Sequence, residues 1–278
     1  MNKKTKKILG MLGLILLGTI LGICFIKGKK GEEVGGIIID QSSTIATITI
    51  SDGNNTFVIM DRNLGALEAG TGPNSYGYYY QRGNNHGFSN TGNLDKMSNL
   101  KPDISAYGPK TFSGYYNDDT FILAGPDWSI IPNYNLRGGH LKDNLSSIPI
   151  GIDAQNRQGP CPDGFHVPSI GEWNQLFLTW GKLNGLPSNY KDYKKFFSNK
   201  KAIKFSNDFL LPLAGCRNYM SRAMVYAQGR SALYWSSSPA VHNAYLMFFD
   251  SSEVSTSIKC RAGAFSVRCF KNIQEEDK

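Results

Sequence analysis

The sequence lacks the short motifs by which common catalytic and metal sites are recognised. It has no C-x-x-C pair, no H-x-x-x-H spacing, no G-x-S-x-G turn and no G-x-x-x-x-G-K-[ST] loop. Its four histidines lie far apart, at positions 86, 140, 166 and 242. These absences argue against a zinc cluster, a thioredoxin-like redox centre, a nucleophile elbow and a phosphate-binding loop. We therefore expect no cofactor and no metal ion, although a catalytic triad assembled in space would leave no such motif.

Acidic residues are missing from the first thirty positions, which hold seven of the 30 Lys and Arg and none of the 22 Asp and Glu. The uncharged run from Ile8 to Ile26 would span roughly 28 Å as a helix, about one bilayer core. Because lysines precede this run, the positive-inside rule predicts a single-pass anchor in the cell membrane, with a cytoplasmic N-terminus and an extracellular or periplasmic domain. A cleaved signal segment is the alternative.

The rest of the chain has no excess charge of either sign, since 23 basic and 22 acidic residues follow position 30. A nearly neutral exported domain gives no reason to expect nucleic acid as a partner. We divide the chain into an N-terminal anchor or signal segment at 1–30, a linker at 31–43, a folded domain at 44–271 and a polar tail at 272–278.

β-Branched and alternating apolar residues predict strands at both ends of the folded domain. Thr44–Ile50 and Thr56–Met60 flank an Asp-Gly-Asn-Asn turn and predict a hairpin. Further strands are predicted at 208–214, 233–238, 244–249 and 264–270. Residues 65–158 are rich in Gly, Asn, Tyr and Pro, and so long an irregular stretch must be packed by its own aromatic side chains.

Two helices are predicted near the middle of the chain. After the Pro-Asp-Gly turn at 162–164, Ser169 and Glu172 form an S-x-x-E capping box. Apolar residues at helical spacing follow, and Trp173 and Trp180 belong to the face that must be buried. A second, basic helix is predicted at 190–204. His166 lies inside the turn, strand and cap unit, so we expect a structural role for it.

Four cysteines follow the hydrophobic run: Cys161, Cys216, Cys260 and Cys269. In an exported domain this number suggests two disulfides, and the sequence leaves all three pairings open.

The segment 218–230 lies between two predicted strands and mixes Tyr, Arg, Asn and Met, which is typical of recognition loops. Residues 241–243 lie in the next connection. We predict an exposed ligand-binding face made of six side chains from these loops: Tyr219, Arg222, Tyr226, Arg230, His242 and Asn243. Besides the two tryptophans named above, Trp235, Phe265 and Val267 are predicted to be core.

Seven motifs together resemble one family, the Fibrobacter succinogenes major paralogous domain. They are M-D-R-N-L-G-A (60–66), Y-G-Y-Y-Y-Q-R-G (76–83), D-W (127–128), C-P-D-G-F-H-V-P-S-I-G-E-W (161–173), L-P-L-A-G-C-R-N (211–218), Y-W-S-S-S (234–238) and F-S-V-R-C (265–269). They stand in the family's order and cover roughly residues 44–271.

The resemblance implies a bacterial surface domain without a general enzymatic activity. It implies an α+β, C-type-lectin-like mixed fold with two helices, antiparallel strands and long loops, here preceded by one transmembrane helix. It also implies a disulfide between Cys161 and Cys269. A second disulfide between Cys216 and Cys260 is left open, because these two depart from the family pattern.

The function predicted from these features is that of a membrane-anchored surface protein whose lectin-like domain binds a cell-surface glycan or protein ligand, or mediates adhesion. One alternative is an oxidase resembling formylglycine-generating enzymes, with Cys260 and Cys269 as a reactive pair. The other is a structural envelope protein with no small ligand.

Overall fold

The computed structural model describes residues 23–25, 36–41, 44–109, 114–130, 134–186 and 199–273. Fifteen β-strands occur within these ranges: β1 Ile23–Phe25, β2 Gly36–Asp40, β3 Thr47–Ser51, β4 Thr56–Met60, β5 Tyr80–Gln81, β6 Met97–Ser98, β7 Phe121–Ile122, β8 Phe165–His166, β9 Cys216–Asn218, β10 Met224–Tyr226, β11 Ser231–Ala240, β12 Asn243–Asp250, β13 Val254–Cys260, β14 Ala264–Phe265 and β15 Phe270–Lys271. The α-helices of the same ranges are α1 Ile152–Asn156, α2 Ile170–Leu183 and α3 Asn199–Asp208. Short 3₁₀ turns lie at Pro73–Ser75, Tyr134–Arg137 and Tyr219–Ser221.

The prediction of an α+β, lectin-like mixed fold is wrong, because the described residues form mostly β-sheets with few helices. Only α2 and α3 are longer than five residues among the helices of the described ranges. The α+β prediction treated these two helices as a major part of the fold, whereas most of the elements are strands. Elsewhere strands predominate: β3 alternates apolar and polar residues, and the segment 65–158 adds the short strands β5, β6 and β7.

The predicted transmembrane helix at 8–26 is also wrong. Its first part, up to residue 22, and Ile26 lie outside the described residues, but Ile23–Phe25 form β1 and pair antiparallel with β2. None of the helices in the described segments is both long and apolar enough to cross a bilayer. The prediction of a single-pass anchor, and of the cell-membrane location drawn from it, is therefore not supported.

One antiparallel sheet joins the two ends of the folded chain in the order β1-β2-β3-β4-β15-β8. The predicted hairpin is present as β3–β4, with Ile48 opposite Ile59. Phe270 of β15 pairs with Ile59 on one side and His166 on the other. Because β2 lies within the range predicted as a linker, the sheet begins before residue 44.

Two more antiparallel sheets come mainly from the closing part of the chain. Strands β11, β12 and β13 form a meander, and β10, β9 and β14 form the second sheet together with β5 from the earlier segment. Isolated parallel bridges from Ala232 to Gly215 and from Tyr234 to Ser266 bring β11 alongside the second sheet. The exposed ends of β9, β10 and β13 therefore lie near one another.

Helix α2 packs its apolar face into the largest core cluster, between the terminal sheet and the β11–β13 meander. Trp173 and Trp180 are fully buried, and the indole nitrogen of Trp173 donates to the carbonyl oxygen of Trp235 over 3.3 Å. The predicted core residues Trp235, Phe265 and Val267 are buried in the neighbouring cluster. The prediction of these five core residues is confirmed.

The N-terminus of α2 has the predicted capping box. The hydroxyl of Ser169 accepts from the N–H of Glu172 at 3.0 Å, and the Glu172 carboxylate accepts from the N–H of Ser169 at 2.7 Å. The second predicted helix, at 190–204, is described only from Asn199, where α3 begins.

Cys161 and Cys269 form a disulfide with Cα atoms 5.9 Å apart, and Cys216 and Cys260 are free thiols. The bond closes a loop of 108 residues between the segment before α2 and the last strand. In the chain-entropy account, a loop of this length is worth about 4–5 kcal/mol of stability.

Candidate functional site

A pocket of about 410 Å³ opens at the outer ends of the closing strands. Its floor is apolar and comes from Cys216, Leu233, Phe248 and Phe265. Its mouth is formed by residues of the β9–β10 turn and of the strand ends: Tyr219, Met220, Tyr226, Ser231, Lys259 and Cys260. An apolar concavity with a few polar groups at its edge is the usual form of a ligand site.

Arg217 fixes the turn that carries one side of the pocket. Its side chain is fully buried, and its guanidinium donates to the carbonyl oxygens of Ala223 (2.6 Å), Ser89 (2.6 Å), Thr91 (2.8 Å) and Gly92 (2.9 Å). Burial lowers the pKa of Arg217. With its N–H groups occupied in this way, Arg217 positions the turn and leaves direct ligand contact to its neighbours.

The β9–β10 turn is held in an uncommon backbone conformation. The amide oxygen of Asn218 accepts from the N–H of Met220 at 2.9 Å and caps the 3₁₀ turn. Arg222 and Ala223 of the turn then adopt positive φ angles of 51° and 56°, and Ala227, directly after β10, has a φ of 60°. Non-glycine residues in this region carry local strain, which proteins retain mostly at functional sites.

Tyr219 links the mouth of the pocket to the packed interior. Its half-buried ring contacts two apolar clusters and lies so close to Gly125 that an added Cβ there would come within 1.9 Å of the ring. Burial, and a hydrogen bond with the side chain of Cys260, raise the pKa of Tyr219. Tyr219 is therefore held in place from both the β9–β10 turn and β13.

The two free cysteines face this same pocket but differ in burial. Burial raises the pKa of the Cys216 thiol to about 11, although the charge of Lys259 opposes the effect. Cys260 is half-buried at the mouth. A low thiolate fraction makes Cys216 a poor nucleophile. Cys269, the other cysteine of the oxidase alternative, is buried and bonded to Cys161, so it offers no thiol to Cys260.

The mouth exposes apolar side chains to solvent. Met220 is 78% exposed and Tyr226 64%, and Met224, which lies outside the lining at the other end of β10, is 60% exposed. Methionine adapts its shape to a partner, and tyrosine contributes strongly at binding surfaces. A cluster of exposed apolar residues around a concavity is typical of an interaction site.

The structure brings together only some of the six predicted ligand-binding residues. Tyr219 and Tyr226 line the pocket, and Arg222 lines an adjoining hollow of about 660 Å³ that shares Tyr219 with it. Arg230 and His242 are exposed but line neither depression. Asn243 begins β12, opposite Cys260 of β13, and also lies outside both linings.

Sequence reasoning did not find the floor of the pocket or its lysine. Leu233 and Phe248 are ordinary alternating strand residues, and Phe265 was assigned to the core. Lys259 lies in β13, whose Ser- and Thr-rich sequence gives little strand signal. From the sequence, Cys216 was considered as a possible disulfide partner, and Cys260 as a disulfide partner or as half of a reactive pair, but neither was placed in a pocket. No local pattern connects these residues, because six different strands supply the lining.

No group of three or more His, Cys, Asp or Glu side chains suited to a metal ion occurs in the described part of the chain. Comparison with known proteins gives no relative either: the chain matches no family model, no curated protein and no solved structure. The resemblance to the Fibrobacter succinogenes major paralogous domain therefore stays a hypothesis.

Proposed function

We propose that this chain is a ligand-binding protein whose site is the pocket of Leu233, Phe248 and Phe265 together with its mouth at Tyr219 and Tyr226. The observation that carries the proposal is an apolar pocket whose mouth exposes Tyr226 and Met220 to solvent. Soluble proteins rarely leave such a cluster exposed without a partner.

The fixed surroundings of the pocket support binding. Strands from two sheets supply its walls, and Arg217 locks the β9–β10 turn through four carbonyl groups. A site that is already ordered loses less entropy when a ligand binds. The ligand we propose is a glycan or protein presented by another molecule, with an apolar or aromatic group entering the pocket.

A catalytic role has less support from the same residues. Cys216 lines the pocket with a raised pKa, and Cys269 is held in the disulfide. The residues lining the pocket include no histidine, aspartate or glutamate that would serve as a general base for the thiol of Cys216 or of Cys260.

The experiment is a binding screen of the full chain against arrays of glycans, proteins and peptides, repeated with and without calcium. Saturable binding that weakens on Tyr226→Ala supports the proposal. Binding that is indifferent to substitutions around the pocket would move the site elsewhere, and no binding to any array member would leave a structural role as the better account.

A further inference from the structure

The charges around the pocket are of one sign. Its lining includes two cations, Arg217 and Lys259, and neither Asp nor Glu. The guanidinium of Arg217 is occupied by main-chain carbonyl groups. Lys259 is exposed at the mouth, on the edge strand β13, and its charge reaches the Cys216 thiol on the floor. An anion at the mouth would meet Lys259 without competition from a carboxylate of the lining.

The floor, in contrast, offers almost only apolar contacts. Leu233 and Phe265 are buried there, Phe248 is half-buried, and the protonated thiol of Cys216 behaves as a small apolar group. A volume of about 410 Å³ is near the lower end of the usual range for ligand sites, roughly 300–1,000 Å³. It suits one ring system or one large side chain.

We propose that the pocket binds an aromatic or large aliphatic group that carries a carboxylate a few bonds away. The apolar part lies on Leu233, Phe248 and Phe265, and the carboxylate pairs with the ammonium of Lys259. The inference rests on the proposed function, since it names the chemistry of a ligand for the same pocket. This chemistry occurs in a free organic acid and in a peptide with adjacent aromatic and acidic residues.

Two matched pairs of probes test the inference with the full chain. The first pair is indole-3-propionate and its neutral amide, and the second is acetyl-Trp-Glu-amide and acetyl-Trp-Gln-amide. Within each pair the apolar group is the same and only the charge differs. Binding is measured by calorimetry for the wild type, for Lys259→Gln and for Lys271→Gln, a control at an exposed lysine in the terminal sheet.

We expect the acid of at least one pair to bind about three- to fivefold more tightly than its neutral partner, as a single ion pair at a half-open site would give. Lys259→Gln should remove this advantage and leave the affinity of the neutral probe unchanged, while Lys271→Gln should change neither. The advantage should also shrink when salt is raised from 50 to 500 mM. Preference for the free acid or for the peptide identifies the source of the carboxylate.

An acid that binds no better than its neutral partner would overturn the inference, as would an advantage that survives Lys259→Gln. Absence of binding by all four probes would overturn it as well. The proposed function is judged separately. If the wild type binds an array member and Tyr226→Ala does not, the pocket is still supported as a binding site even when none of the four probes binds.

Discussion

His166 and Glu172 are hydrogen-bonded to each other in the protein interior, with 2.8 Å between Nε2 of the histidine and Oε1 of the glutamate. Both side chains are almost completely buried. The same carboxylate accepts from the N–H of Ser169, and Nδ1 of His166 contacts the amide oxygen of Asn272 at 2.9 Å. The capping box of α2 thereby ties the helix to β8 and to the segment after β15.

Glu172→Ala should destabilise the protein by about 3 kcal/mol or more, because it leaves His166 without its carboxylate and removes half of the capping box. Urea unfolding followed by tryptophan fluorescence measures the loss. Glu68→Ala, at an exposed position, is the control and should change stability by less than about 0.5 kcal/mol. Equal stabilities for the two variants would contradict the role of this contact.

Replacing Cys161 and Cys269 together by serine should cost about 2–5 kcal/mol, since the unfolded chain gains the freedom of a 108-residue loop. The comparison is best made in a Cys216→Ala, Cys260→Ala background, in which no other thiol can form a substitute bond. An unchanged midpoint of thermal unfolding would show that this bond does not support the fold.

The free thiols should react with maleimide at very different rates. Cys260 is half-buried at the mouth, whereas Cys216 is buried and its pKa is raised to about 11 by burial. At pH 7.5 we expect Cys260 to be labelled first and Cys216 at least tenfold more slowly, as mass spectrometry of the digested native protein would show. Labelling of Cys269 without prior reduction would contradict the disulfide.

Cys216 should also make stability depend on pH in the alkaline range. Its pKa is raised on folding, so the folded state holds the thiol proton more tightly than the unfolded chain does. The resulting stabilisation is complete below pH 9 and is lost as the pH rises towards 11. The loss is on the order of 2 kcal/mol by linkage.

The test compares urea unfolding at pH 8 and pH 10.5 for a Cys260→Ala protein with and without Cys216→Ala. The Cys260 substitution removes the more accessible of the two free thiols, which could otherwise attack the disulfide at high pH. The protein that retains Cys216 should lose more stability than the one that lacks it, and identical losses would show that this thiol titrates normally.

Local sequence was sufficient for the parts of the fold whose signals lie within a few residues. The capping box of Ser169 and Glu172 and the hairpin β3–β4 are of this kind, because turn chemistry and side-chain period decide them. The predicted strand at 208–214 is different. Phe209, Leu211 and Ala214 are buried there, but the carbonyl groups of Phe209 and Leu210 accept from Arg268 and not from a neighbouring strand.

The residues of the proposed binding site were predicted only in part, for a related reason. Tyr219 and Tyr226 were found because their loop has the composition of a recognition surface. Lys259 was not, since its place beside Cys216 depends on how β13 pairs with β12 and how β9 meets β14. Such proximity depends on pairing between residues far apart in sequence.

The prediction at residues 8–26 went wrong because hydrophobicity alone does not distinguish a spanning helix from a segment that contributes a strand such as β1.

The most direct measurement of the central claim is a comparison of array binding by Tyr226→Ala and Arg230→Ala. Both residues are exposed and belong to the six ligand-binding residues that the sequence predicts, but only Tyr226 lines the pocket. We predict that Tyr226→Ala weakens the strongest array interaction by tenfold or more and that Arg230→Ala leaves it within about twofold of the wild type, both variants being equally stable. Unchanged binding by Tyr226→Ala, with or without a loss in Arg230→Ala, would contradict the assignment of this pocket as the binding site.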